Sequence, residues 1–247
     1  EPTFRPEMLL DLVGHAKGLG YDLIQIQSNG RMFSYLDYCK KLIDRGANEF
    51  SPAIHGSRAK IHDDLTKAPG SWDQTVKGIR NLKELGQYVM TNSVVVKSNF
   101  KDVPKLARLL VDLGVDQFQF AFVHINEIIA ADGKLIDEVV PRISEAAPYI
   151  RKGVKVGIDA GTKVMTEAVP YCFMEGYEKN IAERIIPEAH VFDGKLEIED
   201  YTKYRWDKGK ARGPRCGECA HFGVCEGPWR EYPEIFGWDE FIPVKKP

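Results

Sequence analysis

The sequence lacks long apolar runs and an excess of charge of one sign, and its first residues do not show the basic-then-apolar pattern of a secretion leader. Its longest apolar runs, such as residues 94–96, fall far short of the roughly 20 residues that span a bilayer. The 34 Lys and Arg residues nearly balance the 36 Asp and Glu residues, so no overall positive field favours nucleic acid or anionic lipid. We therefore expect a cytoplasmic protein with neither nucleic acid nor membrane among its partners.

The composition is that of a folded globular protein. Of 247 residues, 43% are hydrophobic and 28% are charged, which excludes a disordered chain. The chain opens at Glu1 without an initiator Met, and an apolar helical pattern begins almost at once. We expect that a further segment precedes Glu1.

Strand-like and helix-like patterns alternate through the first half. The predicted strands are 21–27, 49–55, 88–96 and 117–124, and the predicted helices are 6–19, 34–44, 71–85 and 103–113. This βα repeat predicts a parallel sheet or barrel, in which the chemistry lies at the carboxyl ends of the strands. The polar residues expected there include Ser28, Asn29, His55 and His124.

The second half is less regular. Residues 137–152 read as a helix despite Pro141 and Pro148, and residues 154–159 as a short strand. From residue 169 the chain is rich in Pro, Gly, aromatic and charged residues, and such a segment usually needs a staple such as a metal. We predict three parts, namely 1–130, a connecting helix and strand over 131–168, and a small Cys-rich domain over 169–247.

Four of the five cysteines form a candidate metal site. Cys216, Cys219 and Cys225 follow a C-x2-C-x5-C pattern among glycines, and Cys172 supplies a distant fourth thiol. Disulfides are disfavoured by the tight spacing and the lack of a secretion signal. Structural zinc usually shows two short C-x2-C pairs, so an iron–sulfur cluster is favoured. Cys39 reads instead as a small buried hydrophobe on a helix.

Several segments, in order, resemble one family. Residues 1–3 (EPT) resemble the end of a GGEPT motif, 26–30 (IQSNG) a third-strand TNG ending, 53–56 (AIHG) the fourth strand, and 92–99 (NSVVVKSN) the fifth. The Cys172 segment and the run CGECAHFGVCEGP resemble auxiliary-cluster ligands. The sequence thus resembles the radical SAM enzymes that carry a C-terminal auxiliary domain of the SPASM or twitch type.

The resemblance implies a partial TIM-type (β/α)6 barrel, of which this chain carries strands three to six. It implies S-adenosylmethionine (SAM) at the strand ends, cleaved reductively by a 4Fe–4S cluster to a 5′-deoxyadenosyl radical that abstracts a hydrogen atom. Glu1 and Pro2 would lie by the methionine amino group, Ser28 and Asn29 near the nucleoside, and Asn92 within reach of the cofactor. Cys172, Cys216, Cys219 and Cys225 would hold an auxiliary 4Fe–4S cluster.

Two departures from the family pattern are evident. The CxxxCxxC loop that binds the SAM cluster is absent from these 247 residues, and we expect it upstream. The serine that often precedes the Ile-His pair is Ala53 here, and Ser51, two residues earlier on the same strand face, is a candidate substitute. His55 either meets the ribose or ends the strand. If Cys172 is not a ligand, one iron of the auxiliary cluster is open to substrate.

The substrate class stays open at this point between a peptide and a small molecule, and a reductase or ferredoxin is expected as electron donor. Two other readings compete. One is a non-catalytic α/β interaction protein stapled by zinc. The other is a SAM-independent TIM-barrel lyase or isomerase that uses His55 and His124 as acid and base.

The cysteine assignment makes a direct prediction. Replacing Cys216 or Cys219 by Ala removes a cluster ligand, so we expect loss of bound iron and a less stable protein. Cys39→Ala is the matched control and should keep the iron. Iron content and visible absorption of the three variants check this, and loss of iron from the Cys39 variant would contradict the assignment.

Overall fold

The structure is a computed structural model that describes residues 1–125, 129, 131–194 and 196–245. Its main feature is one sheet of five parallel strands in the order β1-β2-β3-β4-β5. The strands are β1 Gln25–Ser28, β2 Glu49–Pro52, β3 Tyr88–Val95, β4 Gln117–Phe122 and β5 Lys163–Glu167. A βα repeat that brings each new strand beside the last produces this order, so the predicted α/β fold is confirmed.

Helices connect the strands. They are α1 Pro6–Gly18, α2 Leu36–Arg45, α3 Ala59–Thr66, α4 Ser71–Glu84, α5 Val103–Asp112, α6 Gly133–Val139 and α7 Ile143–Asp159. Beyond β5 lie a two-stranded antiparallel hairpin, β6 Val191–Asp193 with β7 Leu196–Ile198, and two short helices, α8 Tyr201–Tyr204 and α9 Glu231–Phe236. No helix among the described residues is long and apolar enough to span a membrane.

The prediction for residues 131–168 was wrong in two details. The expected helix over 137–152 is split into α6 and α7, and residues 154–159 are the last turns of α7 rather than a strand. Ile150, Gly153, Val154 and Gly157 are all buried, which is a helical spacing. Two of these four residues are glycines, which have no apolar side chain. A helical pattern of apolar side chains is therefore not evident over this part of the sequence. The strand that follows, β5, was not predicted.

The two glycines let α7 pack closely against the sheet. A Cβ atom at Gly157 would lie 2.7 Å from Phe118 Cζ and 2.9 Å from Val164 Cβ, and one at Gly153 would lie 2.7 Å from Val103 Cγ1. Phe118 therefore faces the helices. Because side chains alternate along a strand, its neighbours in β4 face the opposite side, which we call the inner face.

Strand register assigns the other inner-face residues. Gln119 of β4 is in register with Asn92, and Asn92 is bridged to Ala53. Ser51 lies two residues before Ala53, and Glu167 is in register with Ala121. In-register neighbours share a face, so the inner face carries hydroxyl, amide and carboxyl groups, in contrast to the aromatic helix side.

The C-terminal segment has little regular structure and is held by specific contacts. Tyr232 Oη accepts a hydrogen bond from the Ile143 amide at the start of α7, at 2.8 Å. The Tyr232 ring packs edge-on against Phe122 of β4 and also contacts Phe236 and Phe241. These contacts fix the segment to the sheet. The division of the chain at residues 130 and 168 stays a prediction.

The close approach of α7 is testable with one substitution at two sites. Gly157→Ala inserts a methyl group against Phe118 and Val164, and we expect a loss of about 1–3 kcal/mol in the free energy of unfolding. Gly18→Ala, in open space at the end of α1, should be neutral or stabilising by up to about 1 kcal/mol. Urea denaturation of both variants measures this, and equal effects would argue against the tight contact.

Candidate functional site

Three of the predicted site residues meet where β1 ends. The Glu1 carboxylate accepts hydrogen bonds from the Asn29 amide at 2.7 Å, from Ser28 Oγ at 2.8 Å and from the Thr3 amide at 3.0 Å. Burial opposes ionisation of Glu1, but the bonds from Thr3, Asn29 and Ser28 outweigh it and lower its pKa. The carboxylate is therefore held ionised beside the strand end, and the exposed Pro2 begins the short turn Pro2–Phe4.

Ser51, which is buried, and Asn92, which is half-buried, lie on the inner face and each has an oxygen without a hydrogen-bond partner among the described residues. These two atoms, Ser51 Oγ and Asn92 Oδ1, are both buried. An unpaired buried polar atom costs about 1–3 kcal/mol, so such atoms are uncommon unless a ligand or water satisfies them. Both oxygens are therefore available to a polar ligand on the inner face.

His55 is tightly held. Its Nδ1 accepts a hydrogen bond from the Val94 amide at 3.2 Å, and its own amide donates to His62 Nδ1 at 3.0 Å. Burial and the neighbouring His62 lower the pKa of His55 to about 4. The ring is therefore neutral at physiological pH, and because Nδ1 accepts, the proton lies on Nε2. His55 can donate from Nε2.

Asn99 joins the ends of β2 and β3. Its side chain donates to the backbone oxygens of His55 and Val94 and accepts from the Val96 amide, at 2.8–2.9 Å. The helix-capping role that its position before a helix suggests is not observed. Asn99 instead holds the strand ends in place around His55.

His124 lies in a different environment from His55. Its ring stacks on Trp229 at 4.2 Å between ring centroids, and Nε2 lies 3.5 Å from a Glu231 oxygen. The two histidines thus contact different residues. This arrangement gives no support to the acid–base pair that the lyase reading requires.

The four predicted ligand cysteines surround one cavity. Cys172, Cys216, Cys219 and Cys225 all line it, together with apolar residues such as Phe222 and Phe241. All four are free thiols, so the disulfide alternative is wrong. Cys39 lies elsewhere in the core, fully buried, with Sγ 3.2 Å from the Phe33 oxygen.

The thiols influence one another. Burial first, and then Cys225, Cys219 and Cys216, raise the pKa of Cys172 to about 12. Burial also raises the pKa of Cys225. Thiolates are thus disfavoured here unless a positive centre binds them, which is what coordination to a metal provides.

The four side chains are of the type that binds an iron–sulfur cluster. In this structure no three His, Cys, Asp or Glu side chains among the described residues are grouped closely enough to hold a metal ion. The thiols face a shared space, and an all-thiolate set of four is the usual ligand set of a 4Fe–4S cluster.

A buried network of charges lies beside the cysteine loop. Arg205 binds Glu226 through two hydrogen bonds of 2.9 and 3.0 Å, and Lys210 Nζ lies 3.5 Å from Glu226 and also binds Glu183. Glu183 Oε1 in turn accepts from the amide of Ala168, the residue after β5, at 2.8 Å. Glu226 directly follows Cys225, so the network links the cysteine loop to the end of β5.

Sequence reasoning missed this network and Glu167, the last residue of β5. Charged residues at 183, 205, 210 and 226 look like surface charges when read along the chain. Glu167 was missed because β5 was missed. One signal was available for its neighbour Gln119, since the pattern QFQFAF in β4 places two glutamines on one face.

Sequence comparison finds one matching family model and similar proteins. Residues 1–110 match the family model of the Radical SAM superfamily. A Methanosarcina barkeri protein named AdoMet-dependent heme synthase is 22% identical in an alignment 266 residues long that covers 92% of this chain and 74% of the relative. One of the same name from Oleidesulfovibrio alaskensis is 30% identical in an alignment 113 residues long that covers 44% of this chain and 28% of the relative.

Solved structures share the fold. Streptococcus suis SuiB bound to the precursor peptide SuiA has a TM-score of 0.60 at 12% identity, over 100% of this chain and 62% of that chain. A domain of pyruvate-formate lyase-activating enzyme from Bacteroides vulgatus has a TM-score of 0.52 at 14% identity, over 67% of this chain and 93% of that chain. The chain therefore shares the partial α/β barrel fold of these two proteins, and its match to the Radical SAM superfamily extends over residues 1–110.

The buried network predicts that replacing Arg205 destabilises the protein far more than replacing the exposed Arg45. Arg205→Met leaves Glu226 with one fewer cation in a buried site, and we expect a loss of about 3–5 kcal/mol in the free energy of unfolding. Arg45→Met removes an exposed pair with Asp11, whose atoms are 3.4 Å apart, and should cost under about 1 kcal/mol. Chemical denaturation compares them, and a mild effect at Arg205 would show that the network does not stabilise the fold.

Proposed function

We propose that this chain is part of a radical SAM enzyme that carries an auxiliary 4Fe–4S cluster on Cys172, Cys216, Cys219 and Cys225. The observation that carries the proposal is the cavity lined by those four thiols, in a chain whose first 110 residues match the Radical SAM superfamily. These 247 residues contain no CxxxCxxC run, so the proposal assigns no ligand of the SAM cluster to this chain.

In such an enzyme a bound SAM cluster would supply the electron for reductive cleavage of SAM, and with it the means of hydrogen abstraction from the substrate. This chain's residues bind and orient. Glu1, with Pro2 beside it, offers an ionised carboxylate to the methionine ammonium group, since within the described part of the chain Glu1 Oε2 accepts only the Asn29 amide. Ser28 and Asn29 fix that carboxylate near the nucleoside.

The inner face completes the proposed SAM site. The unpartnered Ser51 Oγ and Asn92 Oδ1 would gain hydrogen bonds from the cofactor, and Ser51 would take the place of the serine that is missing at Ala53. His55 would offer its Nε2 proton to the ribose. Because Asn99 and His62 already hold His55 in place, little ordering entropy would be lost on binding.

The substrate is proposed to be a small molecule of the tetrapyrrole class. The likeness to the Methanosarcina barkeri protein named AdoMet-dependent heme synthase extends over 92% of this chain, whereas the likeness to the peptide-bound SuiB is one of fold. A reductase or ferredoxin is the proposed electron donor. We place the protein in the cytoplasm, where free thiols persist.

Metal analysis tests the proposal. The chain is purified without oxygen, reconstituted with iron and sulfide, and analysed for iron, sulfide and zinc. Four thiolate ligands predict about four irons and four sulfides per chain, with the broad visible absorption of an iron–sulfur protein. A colourless protein that holds one zinc and takes up no iron would contradict it and favour the zinc-stapled interaction protein.

A further inference from the structure

Glu167 is an ionisable residue on the inner face to which the proposed function assigns no role. It ends β5, at the edge of the sheet where chemistry occurs in parallel α/β folds. Gln119 Nε2 donates to Glu167 Oε2 at 2.6 Å, which joins the carboxyl group to the row that also contains Asn92. The side chain is only partly exposed, so it is oriented but still accessible to a ligand.

The charges around Glu167 are already matched. Two cations, Lys210 and Arg205, and two carboxylates, Glu183 and Glu226, lie within electrostatic reach, and they pair with one another. Glu167 itself has no ion pair within the described part of the chain. Together with Glu167, these four charged side chains carry no net charge when Glu167 is protonated. They carry one unmatched negative charge when Glu167 is ionised.

This arrangement raises the pKa of Glu167. Burial, and then the neighbouring Glu183, raise the pKa of Glu167, with Glu226 acting in the same direction, and Lys210 and Arg205 offset this only in part. Tyr201 packs on Arg205 and also faces Glu167. Glu167 thus keeps its proton to higher pH than an ordinary glutamate, and it then has a hydroxyl group to donate.

We propose that protonated Glu167 hydrogen-bonds a carboxylate group of the substrate on the inner face, with Gln119 holding Glu167 in position. A neutral acid can donate to a carboxylate, whereas an ionised one repels it. This inference rests on the proposed function, since a carboxylated tetrapyrrole supplies the acceptor.

Two probes with the same iron and macrocycle distinguish binding of the carboxylates from binding of the ring. Hemin carries two carboxylates, and its dimethyl ester carries none. Absorption titrations of both probes, from acidic to alkaline pH, compare the unmodified chain with Glu167→Gln and Glu167→Leu. The ester has the same iron and macrocycle, so the ratio of the two affinities cancels changes at the iron and nonspecific adsorption.

The expected result has a pH signature. The unmodified chain should prefer hemin to its ester at pH values where the hemin carboxylates are ionised and Glu167 still holds its proton, and the preference should fall at higher pH as Glu167 ionises. Glu167→Gln is neutral throughout and still donates, so its preference should persist at that higher pH. Glu167→Leu should lose about 10- to 100-fold in hemin affinity where the unmodified chain shows the preference, which corresponds to one hydrogen bond to a charged group.

Contrary results are equally clear. Equal affinity for hemin and its ester, no measurable hemin binding, or the same pH dependence in Glu167→Gln as in the unmodified chain would each overturn the inference. Iron and sulfide are measured on the same samples. If the chain holds its iron–sulfur cluster but binds hemin and the ester equally well, only the role of Glu167 is refuted. If the chain holds no cluster, the proposed function is refuted.

Discussion

The pairing of Arg205 and Lys210 with Glu226 and Glu183 is the interaction on which the site depends. Moving an ion from water into a protein interior costs several kcal/mol, and that cost is recovered only when partners and geometry are good. The network therefore tolerates few arrangements. Since Glu226 follows Cys225 and Glu183 binds the residue after β5, the same pairing places the cysteine loop against the sheet.

This constraint explains how a segment with little regular structure positions four thiols. The described residues after β5 form short helices and a small hairpin, so backbone hydrogen bonds alone cannot hold this segment. The charge network fixes one side, and Tyr232 fixes the other through the start of α7. The cavity lined by the four cysteines lies within this segment. A bound cluster would add a third attachment, in the way that metals stabilise small domains.

The sequence predicted the parallel sheet because the signals are local. Alternating strands and amphipathic helices follow one another, and the first four strands lie where periodicity places them. The prediction failed at α7 because Gly153 and Gly157 form part of its buried face, and glycine carries no hydropathy signal. That error concealed β5 and, with it, Glu167.

The parts of the site that depend on short motifs could be predicted, and the parts that depend on tertiary contacts could not. The grouping of Glu1, Ser28 and Asn29, and that of the four cysteines, could be inferred from short motifs. The pairing of residues 183, 205, 210 and 226 could not, because a buried charge and a surface charge look alike in one sequence. The unpartnered oxygens of Ser51 and Asn92 likewise become visible only when the strands are assembled.

The most direct test of the account is an anaerobic crystal structure of the reconstituted chain, with anomalous diffraction recorded on both sides of the iron edge. The account predicts iron density in the cavity between Cys172, Cys216, Cys219 and Cys225, with all four sulfurs as ligands. Iron bound elsewhere, or a zinc signal in that cavity, would contradict it.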